Sequence, residues 1–110
     1  MSLRTNYTGA LDTKLAEART AGSDTILVTN LAAITTAMAA AAAKGQKKFT
    51  VNIGVSYQAA DLRALGPLWS AFQSGVFQAM ASQDVTNNEV AVALNTSDQL
   101  NTSLDLKFQF

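Results

Sequence analysis

The chain has 110 residues, no cysteine and no histidine, and its eight Lys and Arg balance eight Asp and Glu. That length makes residues 1–110 a single domain with one core. The missing residue types exclude disulfides, thiolate nucleophiles, zinc ribbons and the usual neutral general base, and zero net charge removes the long-range field that gathers polyanions or acidic membranes.

Along the chain, Met1 to Asn6 has no apolar run behind a basic start, so no secretory signal is visible, which leaves open a mature chain that has lost one. Leu11, Leu15 and Ala18 line one face of a short first helix, with Gly22 as its stop. Thr25-Ile26-Leu27-Val28 is either extended or the first turn of a helix. From Leu27 the positions Leu31, Ile34, Met38 and Ala41 recur at helical spacing. A second helix is therefore expected over about Asn30 to Lys44, with Thr29 or Asn30 as N-cap and Lys44-Gly45 as the stop.

After Gly45 the apolar period drops to two. Phe49, Val51, Ile53, Val55 and Tyr57 alternate with small polar residues and predict a strand with one buried face. Leu62, Leu65, Trp69, Phe72, Val76 and Met80 then describe a third helix with an aromatic stripe. Pro67 requires that this helix either begin near Gly66-Pro67 after a short turn from Asp61, or be kinked there. Two further alternating runs, Glu89 to Leu94 and Leu104 to Phe110, flank the turn-rich Asn95 to Gln99 and read as a hairpin.

The order α-α-β-α-β-β predicts an α+β fold, with three helices packed on one face of a small three-stranded, mainly antiparallel sheet. The first strand is expected beside the last. Phe49, Val51, Ile53, Val55, Val90, Val92, Leu94, Leu104, Leu106 and Phe108 would face the helices. Thr50, Asn52, Gly54, Ser56, Ala91, Ala93, Asp105, Lys107 and Gln109 would face outward, and at least one sheet edge lacks an obvious guard against pairing with another chain.

Chemistry is sparse. Tyr57, Asp61 and Arg63 cluster after the first strand and are the one candidate ligand or carboxylate-enzyme site, yet no base or nucleophile accompanies them. As the plainer reading, Asp61 precedes or caps a helix and Arg63 is its solvated neighbour. Asp84, Glu89 and Asp98 lack the dense spacing of a calcium loop, so neither metal nor cofactor is expected. Lys44, Lys47 and Lys48 form the one basic cluster, which either contacts a phosphate or an acidic neighbour or, on the plainer reading, suits a helix C-terminus and a solvated turn; the Asn95-Thr96-Ser97 and Asn101-Thr102-Ser103 triplets match the glycosylation acceptor pattern and, more plainly, suit turns.

The informative feature is missing charge. Charged residues make up 15% of the chain against about 25% in a typical domain, and the runs Thr25–Ala43 and Ala64–Gln83 contain none. Thr, Asn, Ser, Gln and Gly within those runs make membrane insertion costly. The third helix has an apolar arc widened by Leu68 and Phe77, and Ser70, Ser74 and Gln78 stand where a surface helix shows Lys or Glu; the second helix repeats this with Ala40 and its neighbours. Ala40, Leu68, Ser70, Ser74, Phe77 and Gln78 are thus candidate interface residues. The partner would be another copy or another protein, with neither nucleic acid nor membrane expected. Low charge, with abundant Ala, Thr, Asn and Gln, resembles the composition of small bacteriophage virion subunits. That resemblance implies a non-enzymatic structural or accessory particle subunit.

Overall fold

A computed structural model describes residues 2–97 and 102–110. The first helix, α1 (Leu3–Asp24), starts where the Ser2 hydroxyl accepts the Thr5 N–H at 3.1 Å, an N-cap that satisfies one otherwise orphaned donor. It runs eight residues ahead of the expected face at Leu11 and continues through Gly22. Gly22 is no stop: it is buried mid-helix where a second helix crosses, and the chain passes instead into a π-helical turn over Thr25–Thr29. Helical, and not extended, is therefore the outcome for Thr25 to Val28.

Asn30 ends that turn. Its amide donates to the Thr25 carbonyl at 2.8 Å and to the Gly54 carbonyl at 3.3 Å, so it ties the wide turn to the sheet and does not cap α2 by a side-chain bond. The next helix, α2 (Leu31–Ala43), leaves at 61° to the preceding one. It ends as expected at Lys44-Gly45. Gly45 sits at φ 69°, and Gln46 N–H donates to Ala41 O while Gly45 N–H donates to Ala42 O, the paired bonds of a Schellman ending that a left-handed glycine permits. Among the described residues no single helix is long and apolar enough to cross a membrane.

Strand β1 (Lys48–Val55) is followed by a one-turn helix α3 (Ala59–Arg63) and by α4 (Pro67–Ser82), with Pro67 in the first turn. Pro67 thus opens α4 and does not kink one longer helix, so among the described residues four helices replace three. Leu65 consequently leaves the expected apolar stripe: in the break it takes φ 53° and is 60% exposed, while Leu62, Phe72, Val76 and Met80 remain in the core.

Strands β2 (Val90–Asn95) and β3 (Thr102–Gln109) complete an antiparallel sheet of order β1-β3-β2, with the first strand beside the last as expected. The fold is α+β, and inward and outward residues divide as the alternation predicts. Val51, Ile53, Val90, Val92, Leu104, Leu106 and Phe108 are buried, and Thr50, Asn52, Ala91, Ala93 and Lys107 are exposed.

Two packing contacts position everything else. Phe72 lies at the centre of the core, with ring centroids 6.0 Å from Tyr57 and 6.1 Å from Trp69. Where α1 crosses α4, Gly22 rests on the backbone of Phe72 and Val76, and Gly75 on that of Arg19 and Ser23. A Cβ at either glycine would overlap the Phe72 or Arg19 carbonyl oxygen, so the helices touch backbone to backbone.

Candidate interaction surface

α4 is the helix expected to need an external cover, and the chain itself supplies most of it. Ala71, Phe72, Gly75, Val76, Ala79 and Met80 are all buried, because the sheet takes one side and α1 takes the flank of Ala71 and Gly75. Cover for the second side of α4 thus comes from within the chain along that flank. Of the candidate interface residues here, Leu68 and Phe77 are half-buried against the core, and Ser70, Ser74 and Gln78 form a narrow exposed polar strip.

α2 is different. Its thirteen residues contain no charge, yet only Ile34 and Ala41 are buried. Ala32, Ala33, Thr36, Ala39, Ala40 and Ala43 all lie open. Thr35 contributes less polarity than its name suggests, since its hydroxyl donates to the Leu31 carbonyl at 2.8 Å. Val28, in the π turn beside α2, is 76% exposed.

The N-terminal part of α1 is the second open apolar element. Leu3, Tyr7, Leu11 and Leu15 follow at four-residue intervals and continue into Ala18 and Gly22, the buried contact with α4. Residues 2–10 all stay exposed, Leu3 at 90% and Tyr7 at 68%. The stripe therefore continues beyond what α4 covers. These two residues were missed because the sequence-based helix began at Leu11, although the spacing of four already reaches back to Leu3.

The molecule's dimensions agree with these open elements. It measures 59 × 31 × 21 Å with a radius of gyration of 15.5 Å, where a compact chain of this length has about 13 Å. Its accessible surface is 6784 Å², against about 5,800 Å² for a compact monomer of 11.6 kDa.

Both sheet edges are partly guarded. Phe110 N–H donates to Lys47 O, so the odd residues of β1 face β3 and the even ones turn their backbone groups outward. Of those, Gly54 O is taken by Asn30. By the same parity, fixed by Gln109 N–H on Glu89 O, Val92 O points out of β2, and Gln73 caps it at 3.2 Å.

Tyr57, Asp61 and Arg63 are directed to three different elements. The Tyr57 ring stacks on Phe72 of α4, and its hydroxyl is buried without a hydrogen-bond partner among the described residues. Asp61 approaches Lys14 of α1 at 4.0 Å, and that ammonium also donates to Gln58 at 2.7 Å. The Arg63 Nε donates to the Thr102 hydroxyl of β3 at 3.2 Å.

Among the described residues no three His, Cys, Asp or Glu gather as a metal site. Glu89 accepts from the Thr86 N–H and hydroxyl, and Asp84 follows the end of α4, while Asp98 lies outside the described residues. In the first turn triplet Ser97 N–H and hydroxyl bond the Asn95 side chain, an Asx turn, and Asn101 of the second lies outside the described residues. Compared with protein families, curated proteins and solved structures, the chain matches none.

Proposed function

We propose that this protein is a non-enzymatic assembly subunit, of the kind found in small phage particles, and that it works by binding further copies of itself through α2 and the N-terminal arm of α1. The observation that carries this is the surface excess. About 900 Å² more surface than a compact chain exposes is comparable with the roughly 800 Å² each partner gives to a standard interface. Of the large apolar residues that stay exposed, Leu3 and Tyr7 lie on the first turns of α1 and Val28 on the π turn beside the open alanines of α2, while Leu65 and Phe110 lie apart from them, before α4 and after β3. A second copy is the favoured occupant because the α2 face carries no charge and an identical uncharged face meets it with no ion to desolvate. Tyr57, Asp61 and Arg63 support no second reading, since each is held by a different element.

The test is solution mass by light scattering from low to high micromolar concentration. The proposal expects a mass that rises to a defined multiple of 11.6 kDa, and a return to the single-chain mass in Ala40→Glu and in Tyr7→Asp. A single-chain mass throughout, or an oligomer that neither substitution weakens, overturns it.

A further inference from the structure

The sheet carries a feature that self-association does not use. A cleft of about 410 Å³ opens at the end of the sheet, lined by Lys48 and Thr50 of β1, Lys107 and Gln109 of β3, and the Asn87-Asn88 turn, with Ala91 also in its wall. Lys48 pairs with Gln109 and Thr50 with Lys107, so Lys48 and Lys107 are diagonal neighbours on adjacent strands, roughly 7–8 Å apart. Two like charges on neighbouring strands of one face repel, and an opposite charge beside them is favourable.

Carboxylates are close by, but other donors hold them. Asp105 is two residues from Lys107 on the same face, and its two oxygens accept from the Asn52 amide at 2.8 Å and the Asn95 amide at 3.2 Å. Glu89, in the cleft wall, accepts the Thr86 N–H and hydroxyl through one oxygen, both at 3.0 Å. Among the described residues neither Lys48 nor Lys107 has a carboxylate oxygen within 4.0 Å. Lys47 directly precedes Lys48 and Lys44 lies four residues before it, so four of the five lysines of the chain belong to this end of the molecule or the turn leading into it. Side-chain amides of Asn87, Asn88 and Gln109 and the Thr50 hydroxyl add neutral donors around the same space.

From this arrangement we infer that the cleft is an anion site, which takes a phosphate group between Lys48 and Lys107 with the amide side chains as further donors. The phosphate is either a free small anion or one unit of a polymer backbone, and both meet the same two ammonium groups. No residue lining the cleft belongs to α2 or α1, so its occupancy is read separately from oligomer mass.

The experiment is an NMR titration of the full isotope-labelled chain at fixed ionic strength, first with inorganic phosphate and then with a short oligothymidylate. Saturable shifts at the amides of Lys48, Thr50, Ala91 and Lys107 are expected, with affinity reduced at least tenfold in Lys48→Gln/Lys107→Gln and unchanged in Lys14→Gln. Saturation by inorganic phosphate at equal or better affinity identifies a free anion as the source; binding at least tenfold tighter to the oligonucleotide, lost in the same double variant, identifies a polymer phosphate. Both lysines are exposed, so the double variant keeps its fold, which its spectral dispersion checks directly. Absence of saturable shifts with either probe, or equal shifts in the double variant, overturns the inference.

Discussion

α4 and α2 are both helices without a single charged side chain, and the structure treats them oppositely. α4 buries six of its residues between the sheet and α1, so its lack of charge is an ordinary requirement of a core helix. α2 buries two, Ile34 and Ala41, with Ala37 and Met38 half-buried against the core, and its other alanines and its threonines lie open. Missing charge thus has two causes that look identical in sequence, cover from within the chain and cover from outside it. Side-chain size separates them: Trp69, Phe72 and Met80 give α4 the reach to fill a core, whereas α2 is mainly alanine and has little to bury.

The same substitution on both helices is the strongest test of this contrast. Ala79→Glu on α4 should abolish cooperative unfolding, because it places an unpaired carboxylate at a fully buried position and costs several kcal/mol, more than a small domain can lose. Ala40→Glu on α2 should leave single-chain stability within about 0.5 kcal/mol, as at any exposed site. Thermal melts at low concentration check both, and equal destabilisation by the two would remove the distinction between the helices.

Next in size is the helix crossing. Gly75→Ala should destabilise by about 3 kcal/mol in urea titrations, since its methyl meets the Arg19 carbonyl and neither backbone can yield locally. Gly54→Ala, in open space on β1, serves as the control and should cost under about 1 kcal/mol. A smaller effect is expected for Gln73→Leu, which removes the cap from Val92 O and should cost about 1 kcal/mol by the same titration.

Two changes around α4 should stabilise. Tyr57→Phe keeps the ring on Phe72 and removes a buried hydroxyl that has no partner among the described residues, so a gain of about 0.5–1 kcal/mol is expected. Asp84→Gly relieves a non-glycine residue at φ 63° in the Schellman ending of α4, where Val85 N–H reaches Met80 O, and should gain about 0.5 kcal/mol. Loss of stability in either would show a contact at that position beyond those described.

Local signals made much of this legible. The alternation from Phe49 to Val55 and again from Leu104 to Phe108 gave each strand its inner face, because a period of two admits no other division once one face is apolar. The Lys44-Gly45 ending of α2 was equally readable, since a left-handed residue favours glycine. Leu65 was misread because its spacing fits the helical stripe of Trp69 and Phe72, and only the break before Pro67 removes it. Gly22 was misread for a related reason. A glycine near the end of a periodic run looks like a stop, and what makes it a contact is the backbone of a residue fifty positions away, Phe72. The cleft residues were seen singly, Lys48 within a basic turn and Lys107 on a sheet face, and only the register of β1 on β3 makes them neighbours.

By itself, then, the sequence determined the α+β class, the two faces of the sheet and the absence of charge from two helices, all of which follow from local periodicity and composition. Tertiary structure alone decided which uncharged helix is covered and which is open, because cover depends on where α1 crosses, and that is set by two glycines far apart in the chain that allow backbones to meet. It likewise decided that Asp105 bonds the Asn52 and Asn95 amides and that Lys48 and Lys107 line one cleft, since contacts between strands depend on register and not on the order of residues.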